Sequence, residues 1–295
     1  MDAYEDLIEH LKTGATTVCR AWAVIRRDGA WFGFTDHDLD LEFAGKVYRA
    51  NTGMSAGSLQ QATGLSVDNT EAIGALSDAA ISEADIHAGR FDGAEVEAWL
   101  VNWAQPKQRA LQFRGNLGEL KRANGAFQAE LRGLTEILNQ PQGRVYQSPC
   151  SAVLGDHSCR FDLSGVGYST EVLIETVTDR RVLVFAGMQE FEDRWFERGR
   201  FKVLSGPATG LIAIVKNDRL TADRRQIELW EPLGADMLES DMVRLEAGCD
   251  KRADTCRLKF NNFNNFQGFP HIPGEDWLMG YPSDNQPLDG GSLFK

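Results

Sequence analysis

Thr16 to Asn51 reads "TTVCRAWAVIRRDGAWFGFTDHDLDLEFAGKVYRAN". Small or apolar residues alternate with polar ones along it, and aromatic and β-branched residues are frequent, the pattern of half-buried strands. Two pairs interrupt the alternation, Asp28-Gly29 and Ala44-Gly45. Each ends in the residue that tolerates the positive φ of a tight hairpin. Three or four antiparallel strands joined by short turns are therefore expected here.

The same style continues on both sides. Tyr4, Leu7, Ile8 and Leu11 recur at helical spacing and predict a short amphipathic helix over residues 1–12. "SDAAISEADIHAGRFDG" carries Ile81 and Ile86 behind polar residues able to cap, which predicts another short helix, and strands resume at Ala94 to Trp103. "LGELKRANGAFQAELRGL" holds the sharpest local signal, Asn124-Gly125 between two alternating arms, a type I′ hairpin. From Asn139 to Gly167 Pro, Gly and Ser cluster, and a domain boundary is placed there. Strand patterns return in "TEVLIETVTDRRVLVFAG" and "GRFKVLSGPATGLIAIVKNDRLTADRRQIELWEPL". The expected class is mainly β, a β-rich α+β protein. It divides into a hairpin-built amino-terminal domain, 1–145, a smaller β-rich carboxy-terminal domain, 146–280, and an extended tail, 281–295. No internal repeat is found.

A chain of 295 residues, 42% hydrophobic and 25% charged, is an ordinary globular composition with room for two cores. Its 31 Lys and Arg against 43 Asp and Glu give a net charge of -12. A field of that sign repels phosphate backbones, which argues against non-specific nucleic-acid binding. The first residues, "MDAYEDLIEHLKTG", carry acids where a secretory signal needs basic residues, and no segment reaches the apolar length of a membrane span. Synthesis and folding in a cytoplasm are expected, where disulfides are rare and cysteines more often serve metals or catalysis.

Five cysteines are present. Cys19 lies in "TTVCRAWAV", where alternation makes it a small hydrophobe on a strand face. The other four fall into two pairs, Cys150 with Cys159 and Cys249 with Cys256, each expected in a loop of Gly, Asp and basic residues rather than in an apolar strand. Zinc knuckles prefer cysteines two to four residues apart. Here eight and six residues intervene. An iron–sulfur cluster tolerates more dispersed thiolates and gains from nearby cations such as Lys251, Arg252, Arg257 and Lys259. Phe260, Phe263, Phe266 and Phe269 could wrap such a group and exclude water; they could equally anchor an irregular segment to a β core. Zinc, free thiols and opportunistic disulfides stay open at this level.

"GCDKRADTCRLKFNNFNNFQGFPHIPG", Gly248 to Gly274, resembles the carboxy-terminal cysteine motif of the phage-type tail-tip hub proteins of gene transfer agents and related prophages. More distantly it is similar to the iron–sulfur domain of minor tail protein L of long-tailed phages. "GFTDHDLDLEFAGKVYRANTG", Gly33 to Gly53, looks like the companion signature, so the resemblance runs over about residues 10 to 280. It implies a structural hub of a tail tip or baseplate, a homotrimer lying between the distal tail protein ring and the central tail-tip protein, in the virion of a phage-like particle assembled in a bacterial cytoplasm. It also implies a [4Fe-4S] cluster held by Cys150, Cys159, Cys249 and Cys256. The acidic balance suits a tail through which DNA passes without specific binding.

Asp36, His37, Asp38 and Asp40 could suggest a metal-dependent hydrolase. On a strand the three acids would share one face and the histidine the other, so they would not converge. His157 stands near the cysteines as a substitute ligand, while His10, His87 and His271 are scattered. No phosphate loop, nucleophile elbow or zinc-peptidase motif occurs, and no catalytic residues are assigned. The alternatives to a hub are an iron–sulfur electron-transfer or redox protein and a zinc-stabilised binding module.

Overall fold

The computed structural model describes residues 3–50, 54–56, 69–75, 82–123, 126–133, 143 and 145–272. The chain divides into two compact units, one of residues 1–142 with 205–211 and 233–237, the other of 143–204, 212–232 and 238–295. The first unit thus recruits two short segments from far along the chain, which no composition shift marks.

The first unit opens with helix α1, Ala3–Lys12, which buries Leu7. Its strands are β1 (Val18–Ile25), β2 (Trp31–Thr35), β3 (Leu41–Phe43), β4 (Lys46–Tyr48), β5 (Met54–Ala56), β6 (Asn69–Ala75), β7 (Glu95–Asn102), β8 (Arg109–Ala123) and β9 (Ala126–Gly133). Seven of them form an antiparallel sheet in the order β2-β1-β7-β8-β9-β6-β5, and β3 pairs with β4. Four strands therefore stand in Thr16–Asn51, as its alternation predicts. Ala44 and Gly45, with φ of 51° and 70°, make the turn between β3 and β4. Ala123 pairs with Ala126, while Asn124 and Gly125 themselves lie outside the described residues. Helix α2, Glu83–His87, is capped by Ser82, whose side chain accepts the Asp85 N–H; Ile81 lies outside the described residues, as do 273–295 with the expected tail.

Alternation along β1 feeds two cores. Trp22 and Val24 join Phe34, Phe91 and Val96, while Cys19, Ala21 and Ala23 join Leu41, Phe43 and Tyr48. Cys19 is a packing group, and burial pushes its thiol up to about 11. Contrary to the strand expected there, Asp36 to Asp40 lie beyond the end of β2 at Thr35. Side chains hold bends there instead. Asp36 accepts the Arg20 N–H at 2.6 Å, Asp40 accepts the Ala50 N–H at 2.7 Å, and His37 Nδ1 accepts the Leu39 N–H at 3.0 Å. These groups shape turns.

The second unit carries β10 (Ser169–Leu173), β11 (Thr176–Thr178), β12 (Val182–Ala186), β13 (Arg200–Val203), β14 (Ile212–Thr221), β15 (Arg224–Leu229) and β16 (Met242–Glu246). They form an antiparallel sheet in the order β10-β16-β13-β14-β15-β12-β11. The end strands β10 and β11 are separated in the chain by Ile174 and Glu175 only, so the sheet curls until its two ends meet in one bent strand. Phe185, Phe201, Val215, Leu229 and Leu245 are completely buried inside it, each contributing about 1.5–3 kcal/mol by leaving water. Helix α3, Ala253–Leu258, and a 3₁₀ turn, Phe263–Asn265, follow β16.

Candidate cluster site

Cys150, Cys159, Cys249 and Cys256 line one small cavity of about 10 Å³ in the second unit. Backbone pairing brings their segments together. The Cys150 N–H donates to Lys251 O at 2.9 Å, and the Lys251 ammonium donates to Ala152 O. Ser151 Oγ donates to Gln267 O at 3.2 Å, and Phe269 N–H to Gln147 O at 2.9 Å.

Each cysteine is set by a local device. Asp156 accepts the N–H groups of Val153, Ser158 and Cys159 at 2.8, 2.8 and 2.6 Å, folding a tight loop around its carboxylate. Those bonds, the one from Cys159 first, hold its carboxyl below the usual carboxylate range. Cys256 is not in a loop, as its Gly- and Asp-rich surroundings suggested, but on α3, and is buried. Six residues form that helix because Asp254 favours its first turn and Arg257 its last.

The sulfurs are supplied with donors. Gln267 N–H points at Cys150 Sγ at 3.4 Å, Asn262 Nδ2 at Cys159 Sγ at 3.4 Å, and the Lys251 N–H bonds Cys249. Asn262 Nδ2 also donates to Cys159 O at 2.7 Å. Desolvation raises the Cys249 thiol, and desolvation with the charges of Cys249, Cys150 and Cys159 pushes Cys256 up to about 11. Four thiolates so placed repel one another until a cation neutralises them, and metal coordination deprotonates thiols outright.

Four thiolate donors lining one cavity suit an iron–sulfur cluster. Zinc bonds of about 2.3 Å would draw four sulfurs to about 3.8 Å from each other. The cavity that the four cysteines line admits a water-sized sphere. All four donors are soft sulfur, with amides aimed at three of them, the environment that suits iron–sulfur ligation. The four cysteines would hold the cluster, and bound there it would supply a covalent cross-link and one-electron redox capacity.

Phe260 and Phe266 line the cavity. Phe263 backs Phe266 at 5.5 Å between ring centroids, and Phe269 packs on Tyr146 at 4.7 Å, so only two of the four phenylalanines face the cysteines. Of the cations, Lys251 and Arg252 line the cavity. Arg257 lies over Phe263 at 4.6 Å; Lys259 lies 4.1 Å over Trp195 and donates to the carbonyls of Trp195 and Gly248. Burial lowers Lys259 to about 8. His157 and His271 are exposed and do not line the cavity. Asp156, Asn262 and Gln267 were not anticipated; an Asn pair inside an aromatic run was the one available hint.

Residues 4–162 match the family described as baseplate hub protein, N-terminal attachment domain. The chain belongs to the baseplate hub protein family. Residues 194–276 match a second family, the phage conserved hypothetical protein BR0599. Each match spans one cysteine pair of this hub-family chain. Over 98% of its length the chain is similar, at 58% identity and a TM-score of 0.90, to the whole of a chain in the structure of the virion of a native gene transfer agent (GTA) particle. Among curated proteins there is no match. The resemblance read from the two sequence motifs thus holds, and the family is a structural one. Among the described residues no helix is long and apolar enough to cross a membrane.

Proposed function

We propose that this protein is the hub of the tail tip in a gene-transfer-agent-like particle, a homotrimer joining the distal tail protein ring to the central tail-tip protein. End-to-end similarity to a chain of such a virion carries the reading. We further propose that a [4Fe-4S] cluster on Cys150, Cys159, Cys249 and Cys256 locks the second unit. Cys159 and Cys249 stand 90 positions apart. Ligation across so long a loop contributes folding free energy, because the unfolded chain holds no preformed site. The net charge of -12 is in keeping with DNA passing the hub without adhering.

The cluster is tested by iron, sulfide and zinc content with visible absorption on protein purified without oxygen. Four iron and four sulfide per chain, lost in Cys249→Ser, are expected; stoichiometric zinc would favour the zinc-stabilised module. The hub role is tested separately by deleting the gene in its host. Particles lacking a completed tail tip are expected, and normal particles would refute the role.

A further inference from the structure

Among the described residues, strand β10 leaves one backbone edge without a partner. Tyr168 O accepts the Ala247 N–H at 2.8 Å, and the Ile174 N–H donates to Asp241 O at 3.0 Å, which fixes the even-numbered residues as those bonded toward β16. The N–H and C=O groups of Ser169, Glu171 and Leu173 therefore point the other way, where the order of strands ends. Natural edges are usually blunted by Lys, Pro or a bulge. "STEVL" has neither Lys nor Pro, its one charge is the exposed Glu171, and its pairing with β16 is unbroken.

A groove of about 810 Å³ begins at Ser169. Tyr168 and Trp195 supply aromatic surface to it, and Glu190 and Glu192, both exposed, also line it, with no ion pair to either among the described residues. Val166, at the tip of the loop lining the groove, is 100% exposed, and Leu173, at the far end of β10, is 52% exposed. An open edge, apolar anchors at both ends and a groove lined by acids match an extended polypeptide with a basic side chain: main-chain bonds give affinity, and the carboxylates select a cation.

We propose that β10 accepts a strand of a second polypeptide along Ser169–Leu173, with a Lys or Arg of that strand paired to Glu190 and Glu192. The inference needs neither the cluster nor the particle assignment, so it stands or falls apart from them.

Amide hydrogen exchange on the full chain tests it, with an end-capped seven-residue peptide of alternating Lys and Val as probe. Exchange is expected to slow at least tenfold at Ser169, Glu171 and Leu173, and to stay unchanged at Thr170 and Val172, already bonded to β16. Glu171→Pro removes only an outward N–H and should abolish the protection. Glu190→Lys with Glu192→Lys, which leaves the strand intact should the proline variant fail to fold, should weaken binding at least tenfold. An alternating Glu and Val peptide should not bind. Absence of protection at millimolar Lys–Val peptide, equal binding by both peptides, or full binding by the charge-reversed variant would each overturn the proposal.

Discussion

Arg225 Nε lies 2.8 Å from Asp218 Oδ1, and both side chains are completely buried. The pair ties a loop to the curled sheet. Asp218 Oδ2 accepts the Phe196 N–H at 2.8 Å, while the Arg225 guanidinium donates to the carbonyls of Met188, Phe191 and Glu192 and lies 5.1 Å over the Phe196 ring. Breaking such a pair strands a charge in the core, at a cost of about 3–5 kcal/mol. Asp218→Leu should lower stability by that amount in urea unfolding, and Arg225→Met added to it should restore a large part. A loss under about 1 kcal/mol in the single variant would mean that the loop is held by its apolar contacts alone.

Cys19 is buried and Cys249 half-buried, and removing them should have unequal effects. Cys19 fills a strand-face position opposite Val101 in a core cluster, and serine there exchanges one small group for another. Cys249 faces the cavity with three other cysteines. Cys249→Ser should lower the melting temperature of anaerobically purified protein by more than Cys19→Ser, with loss of visible absorption in the first variant only. Equal shifts would remove the cross-linking role from Cys249.

Much of the architecture follows from local pattern. Period-2 alternation in Val18–Ile25 and the positive-φ pair Ala44-Gly45 act within a few residues, so the hairpins were legible. The closure of the second sheet was not, because it rests on β10 and β11 sharing one bent strand and on pairings such as Phe201 with Leu245, which no local rule encodes. The buried Arg225 sits in "DRRQIEL" beside an exposed Arg224, and nothing in the sequence distinguishes the two. The cysteine set was visible through its residue type. Its supporting shell of Asp156, Asn262 and Gln267 was hidden, since each acts through a backbone or sulfur contact more than a hundred positions away or through a loop folded on itself.

Glu228 should give the second unit an acid-sensitive limb. Its carboxylate takes bonds from Lys216 at 2.9 Å, Asn217 at 2.5 Å and Arg181 at 2.7 Å, and Lys216 first, then Asn217, hold it below the usual carboxylate range. A depressed carboxyl stabilises the fold above its unfolded value, about 4.3, and that contribution disappears as pH falls through the lower folded value. Glu228→Gln should therefore reduce stability at pH 7 and flatten its decline below about pH 4.3. Parallel curves for the two proteins across that range would show that the bonds are matched in the unfolded chain.

Gly248 precedes Cys249 and runs against the turn that ends at Gly199. Its N–H donates to Trp195 O at 2.9 Å, and a Cβ built on it would lie 1.7 Å from Glu197 O and 2.5 Å from Glu197 C. Both are backbone atoms, so no side-chain rotation relieves the overlap. Either the turn at Glu197 or the chain entering Cys249 has to shift, and overpacking of this kind costs about 1–3 kcal/mol or more. Gly165→Ala is the control, because its nearest atoms would be 3.6 Å away, an ordinary contact, and it should change stability by less than about 0.5 kcal/mol. If the displacement falls on Cys249, Gly248→Ala should also lower iron per chain. A destabilised variant with full iron would put the shift at Glu197, and a variant as stable as Gly165→Ala would contradict the close approach itself.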